Sequence, residues 1–148
     1  MNPTPRLDVR LRIDFGHASS IGPGKIALLE HIDRVGSLSQ AARELGLSYR
    51  RAWLLLDDLN HSFTEPVAMT SVGGVGGGGV QLTAFAQKLI TSYREVERES
   101  LAATRMRFTE LMKEVEPENG LKSRLRRFLT RRGAKSKKAV RSGSRSVL

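Results

Sequence analysis

The chain has 148 residues, enough for about one domain, and a formal net charge of +10 at neutral pH. It contains no cysteine, which excludes disulfides, thiol catalysis and cysteine-ligated zinc. The three histidines, His17, His31 and His61, lie far apart in the sequence. None has a second ligand at metal-binding spacing, so we expect no metal site, no cofactor and no catalytic residue. Since no long apolar run occurs, we also expect a cytoplasmic protein without a membrane span.

The excess positive charge is confined to the C-terminal segment. Residues 117–148 contain eleven Lys or Arg and a single acidic residue, Glu118, whereas residues 1–116 contain 14 basic and 14 acidic side chains. Any DNA binding by residues 1–116 must therefore depend on where individual side chains lie, because their net charge is zero.

The N-terminal part predicts a strand followed by a helix. Residues 7–15, LDVRLRIDF, alternate apolar and polar side chains, which is typical of a half-buried strand. After a turn at IGPGK, residues 26–35 predict an amphipathic helix that ends at Gly36. The apolar face of this helix comprises Leu28, Leu29, Ile32 and Val35.

The next two helices have the spacing of a helix-turn-helix. In SLSQAARELGLS, Ser37 or Ser39 can cap a short helix, and Gly46 supplies the tight turn before Ser48 caps a third helix over residues 48–63. The inner face of the short helix comprises Ala41, Ala42 and Leu45, and that of the third helix comprises Ala52, Leu55, Leu56 and Leu59.

The first turns of the third helix present Tyr49, Arg50, Arg51 and Trp53 on the opposite surface. A recognition helix reads base edges from its first turns, where Arg can bind guanine through two hydrogen bonds. In the alternative interpretation, Arg50 and Arg51 only solvate the helix and Trp53 packs inward. The preceding helix and turn favour the recognition helix.

The run GGVGGGG, Gly73–Gly79, lies between two β-prone segments, residues 66–72 and 80–83. Together they predict a hairpin after the third helix, which is a wing. A backbone without side chains can lie close to sugar and phosphate. The alternative is a nucleotide-binding loop, but the run is not followed by Lys and Ser or Thr.

A long helix is predicted over residues 84–116, capped by Thr83 and ended by Pro117. At about 50 Å it would be too long for a winged helix to cover, so its apolar stripe needs a partner. The alternative is that it folds back on its own domain. The stripe comprises Leu89, Tyr93, Val96, Leu101, Phe108, Leu111, Met112 and Val115.

The tail begins with a basic amphipathic segment, residues 121–132, and continues as a Ser-, Gly-, Lys- and Arg-rich stretch that we expect to be disordered. DNA phosphate, an anionic membrane or a partner groove would each suit such a segment, and DNA is favoured because the rest of the chain is predicted to bind it.

Residues 36–60, GSLSQAARELGLSYRRAWLLLDDLN, and residues 73–90, GGVGGGGVQLTAFAQKLI, closely resemble the N-terminal DNA-binding half of ModE-type molybdate-responsive regulators. That half is related to the winged helix-turn-helix of LysR-type regulators, and the resemblance spans about residues 7–115. It implies that Ser48, Tyr49, Arg50 and Trp53 lie at the DNA-facing start of the recognition helix and that Gly73–Gly79 form the wing tip. It also implies that the long helix is the dimer seam.

We therefore expect a mainly α fold with a small β component: a winged helix-turn-helix over residues 1–83, a dimerisation helix over residues 84–116 and a basic tail over residues 117–148. The expected function is sequence-specific regulation of transcription by a homodimer on double-stranded DNA. Family members continue into molybdate-binding domains, whereas we expect no molybdate site in these 148 residues. The expected DNA-binding residues are Ser37, Ser39, Gln40, Ser48, Tyr49, Arg50, Arg51, Trp53, Gly73, Gly74, Gly76, Gly77, Gly78 and Gly79.

Two other functions remain open. One is a nucleoid-associated architectural protein, which would bind DNA mainly through the tail. The other is an anion- or nucleotide-binding protein that uses the glycine-rich loop.

Overall fold

The computed structural model describes residues 6–16, 19–71 and 79–115, together with Gly120 and Arg124. The chain divides into two units, Asp8–Thr104 and the remainder. Within the described residues, the prediction of a mainly α fold with a small β component is confirmed. In chain order the elements are β1 (Ile13–Phe15), β2 (Ser19–Ile21), α1 (Pro23–Val35), α2 (Leu38–Glu44), α3 (Tyr49–Ser62), β3 (Ala68–Thr70), β4 (Val80–Leu82) and α4 (Ala84–Phe108), followed by a 3-10 turn at Leu111–Glu114.

The predicted caps and turns of the helix-turn-helix are confirmed. Gly36 ends α1 in the left-handed conformation, with φ of 65°, and Gly46 takes the same conformation between α2 and α3, with φ of 66°. The Ser37 hydroxyl accepts the N–H of Gln40 at the start of α2. The Ser48 hydroxyl accepts the N–H of Arg51 at the start of α3. These boundaries of α1, α2 and α3 therefore follow from local signals in the sequence.

The described residues of Asp8–Thr104 form a hydrophobic core, to which α1, α2, α3, the wing strands and α4 all contribute. Ala41, Ala42 and Ala52 are buried at the contacts of α2 and α3, where small side chains allow the helices to approach closely. The larger buried side chains are Ile21, Ile26, Leu28, Leu29, Ile32, Leu38, Leu56, Leu59, Val67, Val80 and Tyr93.

The N-terminal strand is shorter than predicted. Residues 7–13 keep the expected alternation of half-buried and exposed side chains, but only β1 is paired, antiparallel to β2 with Ile13 opposite Ile21. The pairing is short because the partner strand β2, which was not predicted from the sequence, has three residues. The preceding segment is instead tied to α4, since the Tyr93 hydroxyl donates to the Leu11 carbonyl at 2.8 Å.

The wing root is an antiparallel pair in which Ala68 of β3 lies opposite Leu82 of β4. Ser71 and Gly79 extend this ladder by one step, because the Ser71 N–H donates to the Gly79 carbonyl at 2.9 Å. The wing tip, residues 72–78, lies outside the described residues.

Helix α4 begins as predicted and ends earlier than predicted. The Thr83 hydroxyl accepts the N–H of Ala86 and so caps the helix. The helix stops at Phe108 rather than at residue 116, although no Gly or Pro before Pro117 signals an end. Residues 105–111 are all exposed, so packing adds nothing to the helix there, and helical propensity alone is a weak stabiliser. No helix in the described part of the chain is long and apolar enough to cross a membrane.

Candidate nucleic-acid interface

A groove of about 360 Å³ opens between α3 and the wing root. It brings together four of the predicted helix-turn-helix residues, Ser37, Ser39, Tyr49 and Trp53, with Gly79 of the wing. These residues come from α3, from the start of α2 and from the wing just before β4, so the groove exists only in the folded domain. The remaining lining residues are Leu38, Leu56, Asp57, Asn60, Thr70, Ser71 and Val80.

Two aromatic side chains lie exposed in this groove. Tyr49 is 57% exposed and Trp53 is 47% exposed. The interpretation in which Trp53 packs inward therefore does not describe this structure. An aromatic ring with a polar N–H or O–H, left open beside several hydroxyl groups, can make both apolar and hydrogen-bonded contacts to a bound surface.

Arg50 and Arg51 of α3 point to different parts of the surface. Arg51 lines a second groove, of about 420 Å³, beside the N-terminus of α1 and near Arg12 and Lys25. Arg50 is exposed and lines neither groove. The two side chains therefore face different surroundings, as expected for consecutive residues on a helix.

Three of the predicted residues also have structural roles. The hydroxyls of Ser37 and Ser48 accept the cap hydrogen bonds from Gln40 and Arg51 at 3.3 and 3.1 Å. The Gln40 side-chain amide donates to Glu44 at 3.4 Å, within α2. The serine hydroxyls keep their own protons to donate, so capping and binding do not exclude each other.

Four polar residues of the groove were not predicted from the sequence: Asp57, Asn60, Thr70 and Ser71. Asp57 and Asn60 follow Trp53 at helical spacing and share its face of α3. This spacing is visible in the sequence and could have identified them, but the prediction considered only the apolar face and the first turn of α3.

Gly79 is the one residue of the glycine run within the described part of the chain, and close packing explains it. A Cβ atom there would lie 3.3 Å from the Ser71 hydroxyl and 3.4 Å from the Gly36 carbonyl. The Val80 N–H also donates to that Gly36 carbonyl at 3.0 Å, so the wing root lies directly against the turn between α1 and α2. Gly73, Gly74, Gly76, Gly77 and Gly78 lie outside the described residues.

The residues predicted for a dimer seam fall into three groups. Tyr93 is buried in the domain's own core and Leu89 packs against that core, so both already have partners within the chain. Leu101 and Met112 are half-buried. The exposed members are Val96 (43%), Phe108 (44%), Leu111 (58%) and Val115 (46%).

Among the residues that the structure describes, no group of three or more His, Asp or Glu side chains is arranged to hold a metal ion.

No protein-family model matches the chain. It is 36% identical over 98 residues to the molybdenum transport protein ModE of Azotobacter vinelandii, a match that covers 66% of this chain and 36% of the relative. It is 44% identical over 77 residues to the molybdenum-pterin-binding protein MopB of Rhodobacter capsulatus, covering 52% of this chain and 28% of the relative.

A third relative is the DNA-binding transcriptional dual regulator ModE of Escherichia coli K12, at 41% identity over 71 residues, covering 48% of this chain and 27% of the relative. The match thus extends over 27% to 36% of the length of these three relatives. Together with the confirmed helices, caps and wing root, these similarities are consistent with a ModE-type DNA-binding domain in this chain.

Proposed function

We propose that this chain is a sequence-specific, DNA-binding transcriptional regulator of the ModE type that acts as a homodimer without catalytic activity. The observation that supports this function best is the groove that joins the start of α3 to the wing root, with Tyr49 and Trp53 exposed in it. One relative of this chain is named a DNA-binding transcriptional dual regulator, and another is named a transcriptional regulator. A protein acting on the chromosome in this way would work in the cytoplasm.

In the proposed complex, the first turns of α3 enter the major groove. Tyr49 and Trp53 offer apolar rings and one hydrogen-bond donor each, while Arg50 extends from the same turn toward guanine edges. Arg51 lies beside the N-terminus of α1 and Lys25, a position better suited to phosphate than to a base. Ser39 and Gln40 of α2 and the glycines of the wing tip would contact the sugar-phosphate backbone on either side.

The homodimer is proposed on the exposed apolar side chains of the C-terminal part of the chain. Phe108, Leu111 and Val115 leave about half of their surfaces open, which is costly in water for several large apolar groups at once. The same segment of a second copy would cover them. Leu89 and Tyr93 take no part in this proposal, since they pack within their own domain.

The experiment that tests the proposed function uses Trp53 as its reporter. Trp53 is the only tryptophan of the chain and is 47% exposed in the groove, so its fluorescence should change when duplex DNA binds there. A cognate duplex is first selected from a random pool with the full chain. Affinity for this duplex is then compared with affinity for a shuffled duplex of the same composition at one fixed salt concentration.

The expected result is a clear preference for the selected duplex, accompanied by a change in Trp53 emission. Equal affinity for both duplexes, with a steep salt dependence, would support the architectural protein instead. The absence of binding to either duplex, with thermal stabilisation by nucleotides or oxyanions, would support the anion-binding protein. Trp53→Phe is the control for the signal, because it removes the reporter and retains an aromatic ring at the same place.

A further inference from the structure

The two strands of the wing root are fastened to the helix-turn-helix by different means. On β4, the Val80 N–H donates to the Gly36 carbonyl at 3.0 Å, a contact between backbone groups. On the β3 side, the described hydrogen bonds to the helix-turn-helix come from one side chain, Asn60 of α3. The Asn60 amide oxygen accepts the N–H of Val67 at 2.8 Å and that of Ala68 at 3.1 Å, and its amide nitrogen donates to the Ala68 carbonyl at 3.2 Å.

Asn60 thus makes three hydrogen bonds to this strand through one carboxamide. Val67 and Ala68 are buried, so their backbone groups would lose these partners without access to water in exchange. Trp53 and Asp57, two of the α3 residues that line the groove, lie on the same side of α3 as Asn60. One helix face therefore reaches both the groove and the strand that forms its far wall.

We propose that Asn60 is a positioning residue for DNA recognition: its carboxamide holds β3 in a fixed place relative to α3, so that the wing and the recognition helix engage one duplex together. This inference rests on the proposed function. Without the carboxamide, the described hydrogen bonds between the wing strands and the helix-turn-helix would be reduced to the Gly36 contact on β4. A wing attached on one side samples more orientations, and ordering it then costs entropy when DNA binds.

The test compares Asn60→Leu, which keeps a similar volume and removes all three hydrogen bonds, with the wild-type chain on the selected duplex. Hydroxyl-radical footprinting reads the two contacts separately, since the wing protects the flank of the site and α3 protects its centre. We expect Asn60→Leu to lose the flanking protection, to keep the central protection and to bind about tenfold more weakly, because ordering the loosened wing on DNA then costs entropy.

Two further variants separate positioning from general stability. Tyr93→Phe removes another side-chain to backbone hydrogen bond of the same domain, to Leu11, and should lower the melting temperature while leaving both protections intact. Asn60→Asp retains the oxygens that accept the N–H groups of Val67 and Ala68, and it stays informative where Asn60→Leu does not fold. It should keep the flanking protection, and hydrogen exchange should show both amides still protected.

Identical footprints for the wild type and Asn60→Leu would overturn this inference and leave the proposed function in place. Loss of flanking protection in Tyr93→Phe as well would also overturn it, because any destabilisation would then suffice. Failure of the wild-type chain to prefer the selected duplex would overturn the proposed function, and this inference with it.

Discussion

The ion pair between Arg94 and Glu30 fastens α4 to α1, and we expect its loss to lower stability measurably. Arg94 Nε donates to one carboxylate oxygen of Glu30 at 2.8 Å and Nη2 donates to the other at 2.7 Å. The same guanidinium donates to Glu97 at 2.6 Å. Both carboxylates are thus held by one cation through charge-assisted hydrogen bonds, two of them in the bidentate geometry that arginine favours.

The size of the expected loss in stability depends on how strongly water screens this ion pair. The Arg94 and Glu30 side chains are 35% and 36% exposed, between a surface pair and a buried one. Exposed pairs contribute at most about 1 kcal/mol, while hydrogen bonds to desolvated charges contribute about 1.5–3 kcal/mol. We therefore expect Glu30→Gln to lower the free energy of unfolding by about 1 kcal/mol, which corresponds to about 4–8 °C in Tm for a domain of this size.

The pair also predicts a pH dependence of a definite sign. The hydrogen bond from Arg94 lowers the pKa of Glu30, and this effect outweighs the partial burial that would raise it. A carboxyl whose folded pKa is depressed stabilises the protein above its unfolded pKa, which is about 4.3 for Glu. As the pH falls through the lower, folded pKa, Glu30 becomes protonated and this contribution is lost.

Urea unfolding followed by circular dichroism, at a series of pH values, measures the difference between the wild type and Glu30→Gln. This difference should be largest near neutral pH and should shrink once the pH falls below about 4.3. Arg12→Ala is the control, since the pair of Arg12 and Asp14 is 72% and 59% exposed and its loss should leave stability unchanged. A difference that is absent at neutral pH, or equally large in acid, would refute the reasoning.

Three further predictions concern the proposed function. Arg50→Ala should weaken the binding free energy by about 1–3 kcal/mol on the selected duplex and by much less on random DNA, whereas Arg51→Ala should weaken it by similar amounts on both. If Arg50→Ala weakened binding equally on both DNAs, Arg50 would be a phosphate contact. Leu101→Asp combined with Phe108→Asp should convert dimers to monomers in light scattering, and a monomeric wild type at micromolar concentration would contradict the dimer. Removing residues 118–148, which hold the whole net positive charge, should flatten the slope of log affinity against log salt by roughly 0.9 for each phosphate that the tail neutralises. An unchanged slope would show that the tail does not contact DNA.

Local signals in the sequence determined most of the helix-turn-helix. Ser37 and Ser48 cap α2 and α3, and Gly36 and Gly46 adopt the left-handed conformation where each helix ends. Capping and positive φ depend on a few neighbouring residues, and for that reason they can be predicted from sequence. The wing was predictable in the same way, because two β-prone segments flank a glycine run.

Only the structure shows which residues connect segments that are far apart in the sequence. Tyr93 was predicted for a dimer seam and lies instead in the core. Its hydroxyl donates a hydrogen bond to the carbonyl of Leu11, in the N-terminal segment. Helical periodicity shows that Tyr93 belongs to an apolar face, but it does not show which surface covers that face. Only the packing of the N-terminal segment against α4 answers that question.

The groove depends on tertiary structure in the same sense. Asn60 looks like an ordinary polar residue near the end of a helix, and its three hydrogen bonds to β3 arise only when the chain returns to place that strand beside α3. Gly79 lies in a run of glycines whose sequence predicts an approach to DNA, whereas its described contacts are with Ser71 and Gly36 of the same domain. Sequence patterns thus determined most of the helices, their caps and the wing strands, because those depend on neighbours along the chain. The tertiary structure decided which polar groups meet across the groove, because those contacts depend on residues that are close in space and distant in sequence.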